Sequence, residues 1–299
     1  MKYLLSITGL LLIHFAAVNS QPDGLSRIIK AGAAVEKLSG DFQFTEGPAA
    51  DKKGNVYFTD QPNDRIMVWT TKGDLLTFMQ PSGRSNGLFF DSRGFLWACA
   101  DEKNELWKIS PGKEVEVILD EYDGKLLNGP NDLWIAPDGS VYFTDPFYRR
   151  NWWTHTARPQ DKQCVYYLSA DRQILKRVEE ELVQPNGIIG TPDGKILYVA
   201  DIGGKNTWKY NINTDGTLSG KTLFCEMGSD GMTIDTEGNV YLTGRGVTVF
   251  DKNGKEIGNI SIPENWTANI CFGDRNRKSL YITASKGLYR IRTRVKGVY

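Results

Sequence analysis

The chain has 299 residues, with 36 Lys and Arg against 36 Asp and Glu, two His, four Cys and 31 Gly. A neutral chain with no Lys/Arg run lacks the electrostatic footprint of a nucleic-acid or anionic-membrane binder. Two His exclude a multi-His zinc site, and a length near 300 suits one large closed β fold as well as two ordinary domains.

The N-terminus places Lys2 before an apolar run, Leu4 to Val18, that ends in the small residues around Asn19-Ser20. This pattern predicts a secretory signal over residues 1–20, and hence export to the periplasm or beyond. The run is shorter than the ~20 residues that span a bilayer, so no membrane association is expected after cleavage. The mature chain, residues 21–299, keeps His155 as its only His and reads as a single domain with no linker.

A short strand over 34–38 precedes the first of six related phrases. These begin at Asp51, Asp91, Ala136, Thr191, Asp235 and Asp274, and the first reads Asp51-Lys-Lys-Gly54-Asn-Val-Tyr-Phe-Thr-Asp60. Each is an apolar strand, a turn and a β-branched or aromatic strand, which is a hairpin signature. The turn glycines at 54, 94, 139, 194 and 238 are 40, 45, 55 and 44 residues apart; the sixth copy has lost its glycine. Two further strands follow most copies, over 65–69 and 74–79 in the first and over 105–109 and 114–119 in the second. Four strands at such a period describe propeller blades. The prediction is an all-β, six-bladed β-propeller of four-stranded antiparallel blades. The last blade is one strand short after 287–291, so the N-terminal strand is expected to complete it, close the ring and remove a free sheet edge.

Five residues before each hairpin phrase stand Glu46, Asn86, Asn131, Asn186, Asp230 and Asn269. Any one of them would ordinarily serve local backbone groups. Six in register form a ring around the axis of a propeller. Carboxylates and amides converging there are costly to bury unless compensated, and a hard divalent cation supplies the compensation. Oxygen donors on flexible side chains favour Ca²⁺; Mg²⁺ demands a stricter octahedron, and Zn²⁺, though possible, lacks its usual His and Cys ligands. Cys99, Cys164, Cys225 and Cys271 show no CxxC spacing and are expected to be buried free thiols.

Around these positions lie Phe44-Thr-Glu46-Gly-Pro48, Ser85-Asn86-Gly87-Leu88, Leu127-Asn-Gly-Pro-Asn131-Asp132-Leu133, Tyr142-Phe-Thr-Asp-Pro146-Phe-Tyr148, Gln184-Pro-Asn186-Gly187 and Ser229-Asp230-Gly231. In that order the set resembles the gluconolactonase / senescence marker protein-30 / regucalcin family of propeller lactonases over about residues 35–290, nearest to its bacterial gluconolactonase branch. The resemblance implies one divalent cation, commonly Ca²⁺, held by Glu46, Asn186 and Asp230, with Asp230 as general acid/base. It also implies that Asn131 contacts the substrate or completes the metal shell. After Tyr148 the sequence departs from that pattern with Arg149-Arg150-Asn151-Trp152-Trp153-Thr154-His155, a loop that either overhangs the channel mouth, where its aromatics and arginines would bind a sugar-like or acidic ligand, or packs as an aromatic cluster on the blade top.

The expected chemistry is opening of a sugar lactone, a small-molecule substrate, with the metal polarising the carbonyl. Asp230 is the first choice of base and Asp132 the second. Asn86, Asn131, Tyr148, His155 and Arg245 are the expected substrate contacts. A Ser-His-Asp triad would depend on His155, and no Gly-x-Ser-x-Gly elbow accompanies it. Two other readings stay open from the residues alone: a non-catalytic binding propeller with a structural ion, and a related propeller esterase or strictosidine-synthase-like protein.

Overall fold

Each blade starts at the axis and works outward. In the computed structural model, which describes residues 24–299, the first blade takes Thr45–Ala50, Val56–Asp60, Arg65–Trp69 and Leu75–Met79 in spatial order. The next three begin with Ser85–Phe90, Leu133–Ile135 and Pro185–Gly190, and the fifth with Met232–Ile234. The sixth carries Thr267–Gly273, Ser279–Ala284 and Gly287–Arg292 and is completed by Glu36–Ser39, so the N-terminal strand does close the ring. Glu36 pairs with Arg290 in the register of that closure, and their side chains form an ion pair at 2.7 Å. The predicted leader lies outside the described residues.

Strand position follows from burial pattern. Val141–Asp145 and Cys164–Leu168 are continuous apolar runs, and both are buried throughout because blades cover the middle strands on both faces. Val115–Leu119, at the rim, is mostly exposed. Adjacent blades pack face to face, and apolar clusters fill each seam: Phe58, Met67 and Tyr281 between blades six and one, Trp97, Phe143 and Tyr166 between two and three. A fully buried side chain of this kind contributes roughly 1.5–3 kcal/mol. Trp134 is the largest of them, and Gly190 is required beside it, since a Cβ there would stand 2.3 Å from the indole.

The repeated phrase has two local causes. Asp51 accepts hydrogen bonds on Oδ1 from the backbone N–H groups of Lys53 and Asn55, and Gly54 turns the chain at φ +89°. In the degenerate sixth copy Arg277 takes that turn position at φ 55°. At the far end of the phrase, Asp60, Asp145 and Asp201 are buried and accept backbone N–H groups from residues 43–44, 128–129 and 183–184 respectively. Each therefore anchors the segment that leads into Glu46, Asn131 or Asn186.

Some features have no sequence signal in the repeat. A small hairpin, Glu121–Tyr122 with Lys125–Leu126, and two short 3₁₀ turns stand outside the blades. All four cysteines are buried and free, as expected.

Candidate active site

The ring residues sit at the start of the inner strands, and the residue after each explains why their side chains gather on the axis. A Cβ on Gly47 would fall 2.1 Å from the Asn86 carbonyl oxygen, and one on Gly231 would fall 2.0 Å from Asn269 Cγ. Neighbouring inner strands thus abut at these glycines: Gly47 lies against the backbone of Asn86 and Gly87, and Gly231 leaves the space that the Asn269 side chain fills. Blades three and six depart from the rule: Ile270 follows Asn269, and Asp132 follows Asn131, where Gly87 makes space for its carboxylate. Asn269 Nδ2 then donates to Asp132 Oδ2 at 3.3 Å, joining blade six to blade three across the channel.

Glu46, Asn86, Asn131, Asp132, Asn186 and Asn269 are all buried, and Asp230 is half-buried. Asn186 Nδ2 donates to Asp230 Oδ1 at 2.8 Å and to the Tyr148 hydroxyl at 2.8 Å. Trp266 Nε1 donates to Asp230 Oδ2 at 2.6 Å, so both oxygens of that carboxylate are held. Glu46 Oε2 accepts from Gly47 N–H at 2.8 Å, and Asp132 Oδ1 from Leu133 N–H at 2.9 Å.

Three carboxylates sharing a dry space resist ionising together. Burial is the main cause, and it pushes Asp230 up to about 6 and Asp132 up to about 7. Glu46 lies well above the usual carboxylate range, through burial first and the Asp230 charge second. Burial also raises the Tyr148 phenol, and the Asp230 charge adds to it.

Whether a cation fits can be judged from the donors themselves. With its amide nitrogen spent on Asp230 and Tyr148, Asn186 leaves Oδ1 buried and without a hydrogen-bond partner among the described residues. An orphaned amide oxygen beside carboxylates that burial disfavours as anions is the donor chemistry of a hard cation. Among the described residues, no three His, Cys, Asp or Glu side chains stand close enough to hold a metal by themselves. A cation here would therefore draw on the amide of Asn186 as well as on Glu46 and Asp230, the set read from the sequence.

The long loop of blade three packs on the blades and also reaches the site. Trp153 Nε1 donates to the Asp101 carbonyl at 2.7 Å, and the Trp153 ring covers Gly129, where a Cβ would meet it at 2.8 Å. Arg150 Nε donates to Asp101 Oδ2 at 2.7 Å, and its guanidinium lies 5.5 Å from the Tyr148 ring centre. Through Tyr148 the loop touches Asn186.

The residues read as substrate contacts divide. Tyr148, Asn86 and Asn131 stand at or beside the ring, the last two with side chains that have no hydrogen-bond partner among the described residues. His155 stacks on Trp153 at 4.7 Å within the loop's own aromatic cluster, and its buried Nε2 has no hydrogen-bond partner among the described residues. Arg245 is exposed in the tight turn between Val240–Gly244 and Gly246–Phe250, with no side-chain bond to the site. Sequence reasoning missed Trp266 and Asp101, and it read Arg150 only as one of the loop arginines that could meet a ligand. Arg150 was visible only as part of an unusual loop, and Trp266 has no counterpart in the repeat.

Comparison with known proteins identifies the family and agrees with the fold. Residues 44–286 match the family described as "SMP-30/Gluconolactonase/LRE-like region". The gluconolactonase of Zymomonas mobilis is 31% identical over an alignment covering 91% of this chain and 85% of that protein. A solved gluconolactonase structure from Xanthomonas campestris shares 26% identity and superposes with a TM-score of 0.84, covering 90% of this chain and 92% of the other. The fold is shared more distantly by a calcium-binding protein, regucalcin, from Agrobacterium tumefaciens, at 17% identity and a TM-score of 0.74 over 89% and 96% of the two chains.

Proposed function

The chain belongs to the SMP-30/gluconolactonase family, and on that premise we propose that it is a lactonase that opens a sugar lactone, with Ca²⁺ held by Glu46, Asn186 and Asp230. The observation that carries this reading is the buried, unpartnered Asn186 Oδ1 set among carboxylates on the channel axis. When bound, the cation supplies a Lewis acid for the lactone carbonyl.

The chain's own residues supply the rest. Hydrolysis adds water to the carbonyl carbon and breaks the ring C–O bond, leaving a carboxylate, a hydroxyl and one released proton. Asp230 takes the proton from the attacking water and returns one to the departing ring oxygen. Asn186 and Trp266 fix its plane from either side, so its remaining lone pairs are presented in one orientation. Asp132, held by Leu133 N–H and Asn269, is the second carboxylate within the channel and the alternative base. Asn86, Asn131 and Tyr148 offer donors and acceptors to sugar hydroxyls, and the walls above them limit water to what the channel admits. The apolar leader over residues 1–20 supports a site of action in the periplasm or outside the cell.

The test is pH-stat measurement of aldonolactone opening. Added Ca²⁺ sustains turnover, chelator abolishes it, and Asp230→Asn lowers kcat by about 10³-fold or more, the scale of losing a catalytic proton carrier. Full activity in chelator together with full activity of Asp230→Asn would sink the proposal.

A further inference from the structure

At the channel mouth a guanidinium is held firmly at one nitrogen and free at two. Arg150 Nε donates to Asp101 Oδ2 at 2.7 Å. Asp101 is only 1% exposed, and Gln61 Nε2 donates to the same oxygen at 3.0 Å. The terminal nitrogens of Arg150 have no partner among the described residues. Its carbon lies 5.5 Å from the Tyr148 ring centre and 5.6 Å from that of Trp152, so the flat fork stands among aromatic rings. Tyr148 in turn accepts from Asn186, which places the guanidinium one side chain from the axis. The Arg150 charge lowers the pKa of both Asp230 and Tyr148, consistent with that nearness.

A purely structural role leaves this arrangement unexplained. The loop is already held by Trp153 Nε1 on the Asp101 carbonyl at 2.7 Å and by Phe147 N–H on Gln163 Oε1 at 2.6 Å. A clamp would need only Nε. Arg84, 4.7 Å over the Trp152 ring, adds a second guanidinium to the same wall; its Nη1 donates to the Pro62 carbonyl at 2.9 Å, and its contact with the partly exposed Glu102 is a long 4.0 Å. Planar forks with two free N–H edges recognise carboxylate and phosphate oxygens in pairs.

We propose that Arg150, oriented by Asp101, is a specificity-determining residue that selects lactones bearing a second, anionic group. This deepens the lactonase reading and rests on it. The lactone carbonyl would lie at the axial carboxylates while the anionic end, a carboxylate or a phosphate, meets the Arg150 fork. The sugar ring between them would lie against Tyr148.

The experiment compares three lactones in Ca²⁺: a neutral aldonolactone, an aldarolactone with a free carboxylate, and a phosphorylated aldonolactone. For the wild type, kcat/KM is expected to favour one anionic lactone over the neutral one by tenfold or more, mainly through KM, and the better of the two identifies the anion. In Arg150→Gln that ratio falls toward one, and Arg150→Lys, which keeps the charge without the fork, gives an intermediate ratio. Calorimetric titration with the ring-opened products adds a readout independent of turnover: an open-chain aldarate or phosphorylated aldonate binds wild type at least tenfold tighter than an aldonate, and Arg150→Gln loses the difference. A wild type that shows no anionic preference, or an Arg150→Gln variant that lowers all three lactones alike, overturns the assignment. Lactone opening without charge preference defeats this inference alone, whereas anion-selective binding without any opening defeats the lactonase reading and leaves Arg150 as an anion site.

Discussion

The two ends of the axial channel are built by the same six inner strands, yet they differ in kind. At the start of the strands, Glu46, Asp132, Asp230 and Asn186 crowd polar groups that burial penalises, and Asn186 Oδ1 has no partner. Toward the hairpin turns, a cavity of about 140 Å³ has Leu88, Ile188, Met232 and Ile270 in its walls and reaches Asp132 and Asn269 of the polar ring. Tyr299 borders it, donating its hydroxyl to the Gly190 carbonyl at 2.9 Å while accepting from Trp134 Nε1 at 2.9 Å, and its ring meets Phe89 edge-on at 5.3 Å. At that end the polar atoms of Trp134 and Tyr299 have partners and the inner strands contribute mostly apolar side chains, with Asp132 and Asn269 at the boundary between the two ends. Stability and chemistry are thus weighted toward opposite ends of one axis: satisfied, packed groups dominate the base, and the site end holds groups that stability alone would not select.

That division can be broken first at the base. Trp134→Ala removes the largest fully buried side chain and the Tyr299 contact with it, and should destabilise by about 3–5 kcal/mol in urea unfolding. The folded fraction should keep its turnover, because no site residue contacts that indole. A loss of activity larger than the loss of folded protein would show that the two ends are not separate.

The site end makes the opposite prediction in pH. Burial raises Asp132 and Asp145 to about 7 and Asp101 and Asp230 to about 6, so the folded state binds protons more tightly than the unfolded one. The contribution of these four groups to the stability of the cation-free protein should therefore be fullest below the ordinary carboxylate range and be lost as pH rises from about 4 to about 7. Melting in chelator at pH 5 and pH 8 checks the sign, with the higher midpoint expected at pH 5. Added Ca²⁺ should recover stability at pH 8, through Glu46 and Asp230. A midpoint that climbs with pH in chelator would contradict the picture of disfavoured anions.

The smallest effect is expected at Trp266, which is 36% exposed but donates to Asp230 Oδ2. Trp266→Phe keeps an aromatic ring and loses the N–H, and should lower kcat about three- to tenfold, about 1 kcal/mol, with little change in melting temperature. If KM rises instead with kcat unchanged, the indole serves substrate binding and does not orient the carboxylate.

Much of the fold and the ring was legible in the sequence because both follow the repeat. The Asp-x-x-Gly turn encodes each hairpin locally, through Asp51 and its counterparts. Glu46, Asn131 and Asn186 could be aligned by counting from that turn, since a strand's side-chain phase is conserved from blade to blade. Arg245 and His155 show the limit of the method. Both lie in segments outside the shared phase, so counting from the turn could not say what their side chains meet: His155 stacks on Trp153 and Arg245 is exposed.

Six blades and the polar residues that ring the axis could be read from sequence because both are short-range patterns repeated in register, and the N-terminal closure because the sixth repeat is one strand short. Tertiary structure alone decided how those residues are held. Trp266 reaches Asp230 across 36 residues, Arg150 reaches Asp101 across 49 and Asn269 reaches Asp132 across 137. None of these pairs recurs in the repeat. Only closure of the ring brings their blades to one axis, where the loss of water makes every such hydrogen bond count.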